Sequence, residues 1–149
     1  MEYLPGHAMD YHTELMLAAP CLADIHSVPI PESEEILVHP QNPLKAILEE
    51  CEEMFKVYLE SPLGDGEKKI YIRELLDLGW KREAEIQLES GYQCCINTEL
   101  NSTNLLINGE GKSNYLIDWE KPLFGNPAQD LGHFLAPTTT FWKTDVILT

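Results

Sequence analysis

Apolar positions along this chain recur at helical spacing in its first half and at strand spacing in its second. From about Asp10, a candidate N-cap, Leu15, Ala18, Ala19, Leu22 and Ile25 fall on one helical face. Pro20 sits inside that pattern and should kink the helix or remove a hydrogen bond. Residues 28–43 contain Pro29, Pro31, Pro40 and Pro43 and read as a long connection. The clearest periodicity follows over 44–60. There Leu44, Ile47, Leu48, Cys51, Met54, Phe55, Tyr58 and Leu59 share a face, and Glu49, Glu50, Glu52 and Glu53 take the other. Ser61 to Gly66 ends that helix, and 67–90 predicts one or two more, interrupted near Gly79.

At Gly91 the texture changes. Residues 92–96 form a short strand candidate. Leu105-Leu106-Ile107 and Tyr115-Leu116-Ile117 flank Asn108-Gly109-Glu110-Gly111, which is hairpin chemistry. A loop containing Pro and Gly runs from Asp118 to Pro127, followed by a short helix over 128–135 and a tail from Thr138 to Thr149. The first nine residues are expected to be extended and to turn at Pro5-Gly6.

With 149 residues, 44% of them hydrophobic and 23% charged, the chain is one ordinary globular domain or a large part of one. Ten Lys and Arg against 25 Asp and Glu give a formal net charge of −15. That charge argues against nucleic acid or an anionic membrane as a partner. A phosphorylated ligand would meet the same repulsion unless a divalent cation lay between the charges. Much of the excess lies in 32–60, with eight acids against two bases, and reads as a solvated helix face. Cys21, Cys51, Cys94 and Cys95 show no metal-ligand spacing, and the adjacent pair would point to opposite faces of a strand. Reduced thiols in a cytoplasmic protein are the expectation, since neither a signal sequence nor a spanning apolar run is visible. The five His form no zinc pattern, His26 and His133 reading as packing residues, and Ser102 and Thr103 lack a His-acid partner for hydrolysis.

The chemistry gathers around the hairpin. In Asn97-Thr98-Glu99-Leu100-Asn101-Ser102-Thr103-Asn104, a carboxylate is followed five residues later by an Asn, and the second hairpin strand delivers Asp118. Phosphoryl transfer requires such a set. One carboxylate orients an attacking hydroxyl, while an amide oxygen and a second carboxylate hold magnesium on the phosphates.

This pattern resembles the aminoglycoside phosphotransferase and choline kinase family, small-molecule kinases with a protein-kinase-like fold. Its catalytic loop, His-x-Asp-x-x-x-x-Asn, is followed by a strand pair and Ile-Asp-Trp-Glu, here Ile117-Asp118-Trp119-Glu120. Gly125-Asn126-Pro127-Ala128-Gln129-Asp130-Leu131 resembles the next motif, Ala23-Asp24-Ile25-His26-Ser27 the end of a first C-lobe helix, and Glu2-Tyr3-Leu4-Pro5-Gly6 the inter-lobe segment. The resemblance implies an α+β fold: the mostly helical C-terminal lobe of such a kinase, with a small hairpin carrying the site. It divides the chain into a hinge remnant (1–9), a helical region (10–90), the catalytic loop and metal-binding hairpin (91–120), and a following loop, helix and tail (121–149).

By the same resemblance Asn104 and Asp118 are magnesium ligands, and the backbone of Glu2 and Leu4 meets the adenine of ATP. Glu99 and Asn97 stand where the family has its catalytic Asp and its His. Asp130 is a structural residue. The implied partners are a nucleotide and a small-molecule hydroxyl acceptor. A kinase of this kind also needs an N-terminal lobe with a phosphate-covering loop and a Lys paired to a helix Glu. Within these 149 residues neither is found, so the chain is expected to be the middle of a larger protein, inactive alone and able to self-associate through an exposed lobe surface. The alternative is a pseudokinase-like binding or regulatory protein in which Asn97 and Glu99 record lost chemistry.

Overall fold

The computed structural model of the chain describes residues 3–32, 37–86, 92–109, 111–136 and 139. The expectations for Glu2, Glu110 and most of the tail lie outside the described residues. The architecture is α+β, with four α-helices and five short strands among the described residues. The chain divides into two compact units, 1–39 with 92–149, and 40–91. None of the described helices is long and apolar enough to cross a membrane.

The first unit packs one helix against a small sheet. Helix α1 spans Leu15–His26, later than the expected start. Asp10 does not cap it. Its carboxylate accepts the His12 N–H at 2.6 Å, and its own N–H goes to the Glu14 carboxylate at 2.9 Å, which closes a turn ahead of the helix. The buried face is Ala18, Cys21, Leu22 and His26, and Ala19, expected inside, is exposed. Pro20 lies within the unbroken helix on its exposed side, where water can satisfy the carbonyl that loses its partner.

Strand β1 (His7–Ala8) pairs antiparallel with β3 (Leu105–Ile107), which pairs antiparallel with β4 (Tyr115–Leu116). The expected hairpin is therefore present, and the N-terminal segment adds a third strand to it. Strand β4 stops at Leu116, one residue short of the expectation, although the Ile117 N–H still donates to the carbonyl of its in-register partner Asn104 at 2.8 Å. The strand turns at Gly109 (φ 98°) and Gly111 (φ 70°), conformations that glycine adopts without a Cβ clash. Met9, Tyr11, Leu22, Leu100, Leu105, Ile107, Leu116 and Phe134 close the core between α1 and this sheet. Each large aliphatic side chain buried there contributes about 1.5–3 kcal/mol.

A second ribbon was not legible as such. Strand β2 (Cys94–Ile96) pairs antiparallel with β5 (Leu123–Gly125), a segment expected to be loop. Three residues between Pro122 and Asn126 are too few for an alternation to register, and the pairing is made by a partner about thirty residues away. Helix α4 (Ala128–Leu135) follows, as expected, and the Tyr11 hydroxyl donates to the Phe134 carbonyl at 3.0 Å.

The second unit is a helical hairpin. Helix α2 spans Pro43–Glu60, with Asn42 as N-cap accepting the Lys45 N–H and Pro43 at the first turn. Helix α3 spans Gly66–Glu85, capped by Asp65 through the Lys68 N–H. It runs through Gly79, against the expected interruption. A Cβ there would stand 2.7 Å from Leu48 Cδ2, so the glycine lets α2 approach and breaks nothing. Glu52, expected on the solvated face, instead accepts both terminal nitrogens of Arg73 (2.8 and 2.5 Å) and the Trp80 Nε1–H (2.9 Å).

Candidate active site

The loop after β2 is built on a buried carboxylate. Asp130, on α4 and without solvent exposure, accepts the Asn97 N–H (3.1 and 3.0 Å to its two oxygens) and the Thr98 N–H (2.9 Å). His26, at the end of α1, donates its Nε2–H to the same carboxylate at 3.0 Å. These bonds hold Thr98 at φ 71°, a left-handed conformation that a β-branched residue adopts at a cost. Asp118 at φ 65° is the other non-glycine residue in that region among those described. One side chain, next to the first in sequence, bonds the backbone of the second. Asn97, itself buried, donates Nδ2–H to the Asp118 carbonyl at 2.9 Å, and its Oδ1 accepts the Glu99 N–H at 3.3 Å.

The remainder of the loop closes on Glu99. Its carbonyl accepts Nδ2–H bonds from Asn101 (3.0 Å) and Asn104 (3.2 Å). Asn101 Oδ1 accepts from the Thr103 N–H and hydroxyl, which shapes the 3₁₀ turn Ser102–Asn104. Asn104 is buried, and with Nδ2 committed to the loop its Oδ1 is the atom left to face a cation. The bond from Ile117 N–H to the Asn104 carbonyl sets Asp118 one residue beyond it, with an exposed side chain. Trp119 then folds back to donate Nε1–H to the Leu116 carbonyl at 2.9 Å.

Four expected site residues, Asn97, Glu99, Asn104 and Asp118, are thus joined by hydrogen bonds of one loop pair. Leu4 is not part of that network. It lies half-buried before Pro5, whose carbonyl accepts from Asn108 Nδ2, while Glu2 lies outside the described residues. No motif or spacing pointed to Lys121, whose Nζ stands 3.2 Å from Glu99 Oε1 and whose carbonyl accepts the Thr98 hydroxyl at 3.0 Å. Nor did it show that His26 meets Asp130. The nearby thiols are poor nucleophiles: burial, then Asp130, pushes Cys94 up to about 11, and the same causes raise Cys95.

Among the described residues no three His, Cys, Asp or Glu side chains converge on a metal position. The two expected ligands would offer one carboxylate, Asp118, and one amide oxygen, Asn104. That hard oxygen pair suits magnesium, which takes its remaining ligands from water and phosphate. The residues therefore fit such an ion.

No protein-family model matches the sequence, and no curated protein matches it significantly. A solved structure does: spectinomycin phosphotransferase APH(9)-Ia in complex with ADP and spectinomycin, with a TM-score of 0.58 and 19% identity. The match covers 88% of this chain and 43% of that one. This chain therefore spans less than half the length of that enzyme, and over most of its own length it has the fold of an aminoglycoside phosphotransferase.

Proposed function

We propose that this chain is the C-terminal lobe of an ATP- and magnesium-dependent phosphotransferase acting on a hydroxyl of a small molecule. The observation that carries the reading is the hydrogen-bonded closure of the Asn97–Asn104 loop onto the backbone of Ile117 and Asp118. It ties the loop that carries Glu99 and Asn104 to the strand end that carries Asp118. The likeness of fold to an enzyme crystallised with ADP supports the same reading.

In this scheme Glu99 accepts a hydrogen bond from the acceptor hydroxyl and takes its proton. The hydroxyl oxygen bonds the γ-phosphorus as the bond to the ADP oxygen breaks. Asn104 Oδ1 and the Asp118 carboxylate hold magnesium, which when bound neutralises charge on the phosphates. Asn97 keeps Glu99 and Asp118 in register, and the backbone of Glu2 and Leu4 would meet the adenine. Residues 1–9 serve as the hinge, and 91–120 as the catalytic and metal-binding segment. A second lobe supplies the phosphate-covering loop and its Lys, so turnover belongs to the full-length protein.

The test is ATP-dependent phosphoryl transfer by the full-length protein carrying Asp118→Asn. Loss of one preorganised charge at a phosphoryl-transfer site is expected to lower kcat at least about a hundredfold. Undiminished turnover would overturn the assignment.

A further inference from the structure

Lys121 is a cation in a unit with almost none. Among the described residues of that unit, Lys112 and Lys121 are the only Lys or Arg. Its Nζ lies 3.2 Å from Glu99 Oε1, with the two side chains 72% and 48% exposed. An ion pair so exposed contributes little to stability. Its ends are nonetheless fixed independently. The Lys121 carbonyl accepts the Thr98 hydroxyl at 3.0 Å, and the Glu99 carbonyl accepts from Asn101 and Asn104. Two pinned backbones thus present two long side chains to each other across 22 residues. A glutamate has three side-chain torsions, and one that is half in solvent occupies several rotamers unless something selects one. Orienting a hydroxyl demands a single geometry. A Lys on Oε1 selects it and leaves Oε2 to meet the hydroxyl.

We propose that Lys121 is a positioning residue, its ammonium holding the Glu99 carboxylate in the rotamer that receives the acceptor hydroxyl. The inference rests on the phosphotransferase reading above and deepens it.

The test uses the full-length protein and magnesium-dependent phosphate release from ATP, with water as the acceptor. It compares Lys121→Met, Lys121→Arg, Glu99→Gln and the double variant Glu99→Gln with Lys121→Met. A second readout is the Glu99 side-chain carboxyl resonance in ¹³C-glutamate-labelled protein, identified by its loss in Glu99→Gln. Lys121→Met is expected to lower kcat about tenfold with the KM for ATP within about twofold, because alignment is lost and nucleotide binding is not. Lys121→Arg should restore most of that loss. The methionine should add nothing in the Glu99→Gln background, and the resonance should move in Lys121→Met but not in Lys121→Arg. Independent, multiplicative losses overturn the role. So does a rise in KM that accounts for the whole effect. A wild-type protein that releases no phosphate overturns the phosphotransferase reading and the positioning role with it. A Lys121→Met protein with unchanged kcat and an unmoved resonance overturns the positioning role alone.

Discussion

Asp130 decides the shape of the Asn97–Asn104 loop more than any residue within that loop. Removing its side chain would strand the buried N–H groups of Asn97 and Thr98 and leave His26 without its acceptor. Asp130→Ala is expected to lower unfolding free energy in urea by about 3–5 kcal/mol, the range for breaking a buried, hydrogen-bonded pair. Asp130→Asn keeps one acceptor oxygen and should cost less. The grouping of Asn97, Glu99, Asn104 and Asp118 was legible in the sequence because three of them share one short stretch and a hairpin delivers the fourth. His26 and Lys121 could not be assigned partners, because His26 meets a residue 104 positions away and Lys121 one that is 22 away. A contact of that kind leaves no periodicity behind it.

At the scale of elements, local pattern succeeded where a helix is long and failed where a neighbour decides. Helix α2 was legible to within a residue, and α3 was expected to break at Gly79 because glycine weakens a helix by about 1 kcal/mol. The packing of α2 on α3 gives that glycine its purpose, which one strand of sequence does not reveal. Gly79→Val should therefore destabilise the protein by about 2 kcal/mol, from overpacking against Leu48, as measured by urea unfolding. Glu52 was misplaced for the same reason, since its partners Arg73 and Trp80 come from the facing helix. Hydrogen bonds from Arg73, then Trp80, hold its carboxyl down at about 2, from an ordinary 4.5. A carboxyl depressed on folding stabilises above its unfolded value and loses that contribution as pH falls toward the folded one. Between about pH 4.5 and 2, stability should fall with acidification, and Arg73→Met should flatten that slope in a pH series of thermal unfolding.

For the molecule as a whole, the charge of −15 sets the terms on which the proposed nucleotide would bind. Glu99, Asp118 and Glu120 lie along the site segment, and a triphosphate approaching them without a counter-ion would be repelled. On the proposed function, magnesium held by Asn104 and Asp118 would reverse that sign locally, so nucleotide affinity and metal should be linked rather than independent. Calorimetric titration of ADP into the full-length protein, with and without magnesium, in wild type and Asp118→Asn, reads this linkage directly. The expected result is binding that tightens at least about tenfold with magnesium in wild type, with that gain abolished in the variant. Equal affinity with and without magnesium, or a gain that survives Asp118→Asn, would contradict the assignment of a phosphoryl-transfer site.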